Sequence, residues 1–242
     1  MTRPWKAIQK ILSRVRAAVQ EYQMIETGDK IAVGVSGGKD SLVLLCALHE
    51  LIRFYPKSFA ITALTVDPCF SGEADFSPLQ AFCDELAVPL VIRRTNLNEV
   101  VFKSREEKNP CSLCAKMRRG ILHDMAVEVG CNKIALGHHL DDAAETFYMN
   151  LFRGGRMECF SPVSYLSRKN LTLIRPMILT QEKEITKAAN KLSLPVMRAS
   201  CPVDGHTERQ KMKVLLKTLE QDYEVLNVKT VDAMRKAGIS RW

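Results

Sequence analysis

The sequence predicts an α/β fold: a doubly wound, mostly parallel sheet of about five strands with helices on both faces, flanked by N-terminal and C-terminal helices. Three observations carry this expectation. Short β-branched apolar runs alternate with longer runs of helical period. No internal repeat or low-complexity segment interrupts the alternation. Polar motifs stand just after three of the strand-like runs, where ligands bind in parallel sheets.

Each element has its own reason. Residues 4–22 read as an amphipathic helix, because Ile8, Ile11, Leu12, Val15, Val19 and Tyr22 recur at helical spacing. Lys6, Lys10 and Arg14 are four apart on another face, suited either to solvent or to RNA phosphates. The run Ile31-Ala32-Val33-Gly34-Val35 reads as the first strand, and the following helix spans 40–54 before Tyr55-Pro56. A second strand, 59–66, ends at Asp67-Pro68; a helix over 78–87 and a third short strand over 90–93 follow. A polar connection covers 96–110. A helix over 111–130 then carries Leu113, Met117, Ile121, Met125 and Val129 in one stripe. A fourth strand covers 133–136 and leads through Gly137-His138-His139-Leu140-Asp141-Asp142 into a helix ending near 152. Residues 163–166 and 171–174 read as a hairpin, and 181–192, 207–223 and 225–237 as helices. The expected organisation is a basic helix over 1–24, a nucleotide-binding α/β domain over 25–195, and a cysteine loop with helical extension over 196–242.

Composition narrows the class. A chain of 242 residues suits one α/β domain with a small extension, at roughly 100–200 residues per domain. No run approaches the ~20 apolar residues of a membrane helix, and no signal-peptide pattern is present, so the expected location is the cytoplasm with no membrane partner. The net charge of +8 suggests a polyanionic partner, most simply a nucleic acid. Eight scattered cysteines without an export signal point to metal or redox chemistry rather than a disulfide framework. Cys46 and Cys83 fall within apolar helical patterns and read as core; Cys69, Cys131 and Cys159 have no evident partner.

The most informative stretch is Ser36-Gly37-Gly38-Lys39-Asp40-Ser41, between a strand-like and a helix-like run. Two glycines allow a sharp turn and close approach of backbone to a ligand. The helix start offers unpaired N–H groups and the positive end of its dipole. With two hydroxyls and one ammonium, these six residues form a phosphate cradle, although they do not match the Walker A pattern. Asp67 and the 137–142 segment, with His138, Asp141 and Asp142, stand at the same sheet edge and should join it. Asp40 is placed either to cap the helix or to hold magnesium beside phosphates.

A second cluster begins at Cys111-Ser112-Leu113-Cys114, after Pro110 and at a helix start, where thiolates are stabilised. One C-x-x-C is compatible with zinc, an iron–sulfur cluster, redox exchange or no chemistry. The best third thiol is Cys201. Arg118 and Arg119 beside the C-x-x-C, and Arg153 and Arg156 around Gly154-Gly155, are candidate RNA contacts or solvated side chains. Arg175 suits either an ion pair or a phosphate contact.

The loop over 36–41 matches the SGGxDS signature of the PP-loop ATP pyrophosphatases. Over nearly the whole chain, Pro110 to Cys114, Arg118-Arg119-Gly120 and Gly137-His138-His139 with Asp141-Asp142 resemble the TtcA family of tRNA 2-thiocytidine synthetases. The resemblance implies binding of ATP and Mg²⁺, attack at the α-phosphate with release of pyrophosphate, and a [4Fe–4S] cluster held by Cys111, Cys114 and Cys201. It implies that Lys39, Asp40, Cys111 and Cys114 are catalytic, and that tRNA and a cysteine desulfurase or other sulfur donor are partners. A homodimer is left open. Two departures stand out: Leu140 replaces the basic residue usual in the family, and only Cys201 remains of a pair often found in the last loop. Two other readings fit the same residues: an adenylating tRNA ligase of the lysidine type, and a nucleotide-binding metal or redox sensor without catalysis.

Overall fold

The computed structural model describes residues 5–70, 74–97, 101, 110–197 and 207–242. One mixed sheet organises them, with strand order β3-β2-β1-β4-β6-β5. The strands are β1 (Asp29–Gly34), β2 (Phe59–Asp67), β3 (Leu90–Arg94), β4 (Lys133–Ala135), β5 (Val163–Leu166) and β6 (Leu171–Ile174). All neighbouring pairs are parallel except β5 with β6. The expected hairpin therefore joins the main sheet: β6 lies parallel to β4, β5 forms an antiparallel edge, and the total is six strands rather than about five.

Alternation along the strands builds two faces. Ile31, Val33 and Val35 enter one core cluster, whereas the intervening Ala32 enters the other. The same division separates Ala63 from Leu64, Ala135 from Ile134, and Ile174 from Leu173. On the first face pack α1 (Gln9–Glu21), α2 (Lys39–Ile52), α3 (Ser77–Glu85) and α6 (Glu182–Lys191), through residues such as Val15, Leu44, Phe82 and Ile185. On the second lies α4 (Pro110–Glu128), which turns Ile121, Leu122, Met125 and Ala126 to the sheet. The expected straight stripe is thus rotated, and Val129 at its end is exposed. Helices α5 (Leu140–Gly154) and α7 (Glu208–Leu219) meet through Ala144, Met212 and Leu216. The last helix, α8 (Leu226–Lys236), adds Val231 to the main core.

Some boundaries differ from the sequence reading. A 3-10 turn, Trp5–Ile8, precedes α1, so the regular helix begins at Gln9. Helix α7 stops at Leu219 because the next amides, of Gln221 and Asp222, bond back only three residues, and Val225 then adopts left-handed backbone before α8. The basic face of α1 is partly neutralised: Lys10 and Arg14 both pair with Glu184, at 2.8 and 3.2 Å. Cys46 and Cys83 are fully buried, as expected. No helix among the described residues is long and apolar enough to cross a membrane.

From β1 the sheet grows in both directions, to β2 on one side and β4 on the other. The connections after β1 and β4 therefore part at their carboxyl ends and leave a crevice, the usual ligand position in such sheets.

Candidate active site

The crevice is a cavity of about 390 Å³. Its walls come from Ser36, Asp40 and Ser41 after β1, Leu64 and Val66 of β2, Gly137 and His138 after β4, Asp142 of α5, and Ala115, Arg118, Arg119 and Leu122 of α4. Three strands and three helices, α2, α4 and α5, thus bring together the phosphate-loop and 137–142 motifs expected to meet.

The loop is braced by its hydroxyls. Ser41 Oγ donates to Gly38 O at 2.9 Å and accepts from Ser36 N at 3.1 Å; Ser36 Oγ accepts from Gly38 N at 3.3 Å. Gly37 has φ +80°, which a side chain rarely adopts, and its carbonyl accepts from Met197 N at 2.9 Å. Gly137 serves close approach instead: a Cβ there would lie 3.2 Å from the Asp40 and Ser41 backbone. Gly38 precedes α2, whose first turn directs helix N–H groups at the crevice.

Lys39 does not line the cavity. Its Nζ lies 3.0 Å from Asp40 Oδ1 and 2.9 Å from Glu182 Oε1. Burial alone would lower its pKa, but these two carboxylates outweigh burial and raise it. Asp67 does not line the cavity either. Its carboxylate accepts from the amides of Cys69 and Ala74 at 2.9 and 3.1 Å.

The 137–142 segment divides its labour. His138 lines the cavity, packs 5.1 Å from the Phe160 ring, and is pushed by burial down to about 4, so it is neutral at ordinary pH. Its Nδ1 is buried with no hydrogen-bond partner among the described residues. Arg175 stands 4.6 Å from the centroid of the same Phe160 ring and donates to Ser161 O, a structural position; burial lowers it to about 10. His139 caps α5 in a capping box: its backbone N donates to Asp142 Oδ2 at 3.0 Å. Burial opposes the His139 charge, yet the Asp141 and Asp142 carboxylates outweigh it and raise the pKa. Asp141 faces away from the cavity and binds the first amide of α6, Glu182 N, at 2.6 Å, and Asn227 Nδ2 at 2.9 Å. Burial would raise its pKa, but the His139 ring and these donors bring it down to about 2. Asp142 is likewise lowered against burial, by His139 and by Arg209, whose Nη1 lies 2.8 Å away.

Glu145, Glu182, Arg209 and Met197 were not anticipated. Glu145, buried beside Asp142 and 3.6 Å from Arg209, is pushed up to about 7 by burial and then by Asp142. A charged residue on an otherwise apolar helix face was the available signal. Glu182, Arg209 and Met197 had none, since only folding brings their segments to the loop.

The C-x-x-C lies in the first turn of α4, one turn before the cavity residues Ala115, Arg118 and Arg119. Cys114 is 4 % exposed. Cys201 and the Cys111 side chain lie outside the described residues. Both flanks of the Cys201 segment are tied to the site, Met197 to Gly37 and Arg209 to Asp142. Arg118 and Arg119 are exposed at the cavity wall. Arg153 is instead paired with Glu208, and Arg156 lies 3.8 Å from Glu158.

Residues 8–215 match the family model described as a PP-loop domain. The tRNA-cytidine(32) 2-sulfurtransferase of Pelobacter propionicus is 38% identical over 218 residues, covering 88% of this chain and 80% of that one. The chain belongs to the TtcA family of PP-loop proteins. A second family member, the tRNA-cytidine(32) 2-sulfurtransferase of Geobacter metallireducens, is 38% identical over 90% of this chain and 85% of its own. The U34-tRNA thiolase NcsA from Methanococcus maripaludis, solved with its [4Fe–4S] cluster, superposes with a TM-score of 0.78 at 26% identity, covering 96% of this chain and 78% of that one. Within the matched PP-loop domain, the braced loop over 36–41 is the candidate phosphate loop and the cavity it lines the candidate nucleotide site.

Proposed function

We propose that this chain is an ATP-dependent tRNA-cytidine 2-sulfurtransferase. The observation that carries the proposal is the C-x-x-C at the start of a helix that lines, one turn further on, the same cavity as the PP-loop. An adenylating site and a sulfur-handling site are then neighbours, which thiolation of a carbonyl requires and simple ATP hydrolysis does not.

The residues present suit a [4Fe–4S] cluster. Cys114 is buried at a helix N-terminus, Cys111 is in the same turn, and both flanks of the Cys201 segment are fixed at the cavity. Cys111, Cys114 and Cys201 would hold the cluster, which when bound would supply sulfur to the activated carbonyl. The β- and γ-phosphates of ATP rest on the loop amides of 36–41 and the N-terminus of α2, with Lys39 as the mobile cation and Asp40 placed to hold Mg²⁺. Asp67, Gly137, His138, Asp141 and Asp142 complete the nucleotide site, Asp67 and Asp141 by fixing its loops and helices. The cytidine O2 attacks the α-phosphate, and pyrophosphate leaves into the loop. Adenylation converts O2 into a leaving group; sulfur then bonds to C2 while the C2–O2 bond breaks and AMP departs. Arg118 and Arg119 neutralise phosphate charge at the open wall and guide a base flipped out of an RNA loop. Neutral His138 provides a ring against the nucleotide without adding charge. Arg153 and Arg156, exposed and outside the cavity lining, would reach the RNA backbone by exchanging their carboxylate partners Glu208 and Glu158 for phosphates.

The partners are tRNA and a cysteine desulfurase or another sulfur donor; a homodimer and a cytoplasmic location fit the same reading. The test is nucleoside mass spectrometry of tRNA from cells with and without the gene, joined to anaerobic reconstitution with iron and sulfide. Loss of 2-thiocytidine, a brown wild type, and colourless Cys111→Ala, Cys114→Ala and Cys201→Ala proteins are expected. An unchanged nucleoside profile would refute thiolation. Full cluster content in all three variants would refute the ligand set.

A further inference from the structure

Lys39, the first residue of α2, and Lys213, on α7, share one carboxylate, that of Glu182 at the start of α6. Lys39 Nζ is 2.9 Å from Glu182 Oε1, and Lys213 Nζ is 2.7 Å from both Oε1 and Oε2. The side chains are partly enclosed, at 27 %, 22 % and 41 % exposure for Lys39, Glu182 and Lys213. Glu182 cannot simply swing away with its backbone, because its amide is held by Asp141 Oδ2 at 2.6 Å. The Lys39 ammonium is thus parked beside the cavity, between Glu182 and Asp40, rather than facing into it.

A triphosphate entering the PP-loop must draw this ammonium away from Glu182. A half-buried carboxylate stripped of its only cation is costly, because it has lost water and gains no charge in return. Glu182 escapes that cost, since Lys213 remains on both its oxygens. We infer that Glu182 and Lys213 form an exchange clamp on Lys39: Glu182 holds the lysine in its resting position, and Lys213 makes its release to the nucleotide phosphates easy. Both are positioning residues that act through Lys39. The inference rests on the reading of the PP-loop as the ATP-phosphate site, and adds residues of α6 and α7 that set its affinity.

The clamp predicts opposite signs for its two members. Glu182→Gln removes the competing charge and should tighten ATP binding. Lys213→Met leaves Glu182 dependent on Lys39 and should weaken it. Each change should be roughly threefold to tenfold, as for partly exposed charge pairs. The double variant should follow Glu182→Gln, because Lys213 acts only through that carboxylate. Lys213→Arg keeps the cation and should bind like the wild type. The measurement is calorimetric titration of the full chain with Mg²⁺ and a non-hydrolysable ATP analogue, with circular dichroism melts to verify folding. A shift of both single variants in the same direction, or no shift in either, overturns the clamp while leaving ATP binding intact. A wild type that binds no nucleotide removes the PP-loop reading and the clamp together. A merely structural role for these residues would weaken binding in both, never tighten it in one.

Discussion

Gly37→Ala is the most demanding single test of the site's construction. Gly37 has φ +80°, and an added Cβ would lie 2.9 Å from Met197 Sδ and 3.0 Å from Met197 Cβ. Holding alanine in left-handed backbone costs about 1–2 kcal/mol. The sulfur end of Met197 can swing aside, but its Cβ can retreat only with the Met197 amide, which donates to Gly37 O at 2.9 Å. Overpacking of that kind costs about 1–3 kcal/mol. A stiffer unfolded chain offsets about 0.4–1 kcal/mol. The expected net loss is about 1–5 kcal/mol. The assay is urea unfolding followed by circular dichroism, with Gly38→Ala as the internal comparison. Gly38 has φ −75° and ψ 158°, which alanine accepts, and its nearest atom to an added Cβ is Ser36 Oγ at 3.4 Å. That neighbour should change stability by less than about 0.5 kcal/mol. Because Met197 leads into the segment containing Cys201, Gly37→Ala should also lower cluster loading, whereas Gly38→Ala should not. Equal unfolding midpoints for the two variants would refute the steric reasoning.

Two further outcomes follow from buried carboxylates. Asp141 is held at about 2 in the fold against an ordinary 3.8, so its contribution is present above pH 4 and is lost as pH falls toward 2. The difference is worth about 2 kcal/mol, and Asp141→Asn should flatten the acid limb of a stability–pH curve over that window. Glu145 is displaced the other way, to about 7 from 4.5, so its effect on stability is lost as pH rises from about 5 through 7. Glu145→Gln should remove a decline of about 2.5 kcal/mol between pH 5 and pH 8, read by denaturant melts at those two values.

The fold was legible because its signals are local. Strand runs such as Ile31-Ala32-Val33 and helical runs such as Leu42 to Leu51 each carry their own periodicity, and strand ends mark where loops collect. The hairpin over 163–174 was also legible, but its place was not: nothing local tells β6 to lie beside β4 and extend the sheet to six strands. The basic face of α1 shows the same limit. Its lysine and arginine spacing was visible, whereas Glu184, which pairs with Lys10 and Arg14, is more than 160 residues away in the chain.

The sequence by itself determined the chemistry: a PP-loop, a C-x-x-C opening a helix, and a 137–142 segment rich in acid and imidazole. These are short contiguous motifs whose residue types carry their function directly. Tertiary structure alone decided which side chains face the cavity and which hold the frame. Lys39, Asp67 and Asp141 sit within or beside the motifs yet turn to Glu182, the amides of Cys69 and Ala74, and α6, while Arg118 and Arg119 of a separate helix help line the cavity. The physical reason is that a side chain's direction depends on the twist of the sheet and the packing of helices from distant parts of the chain. Whether a charge is free or already paired is therefore fixed only when those helices close around it.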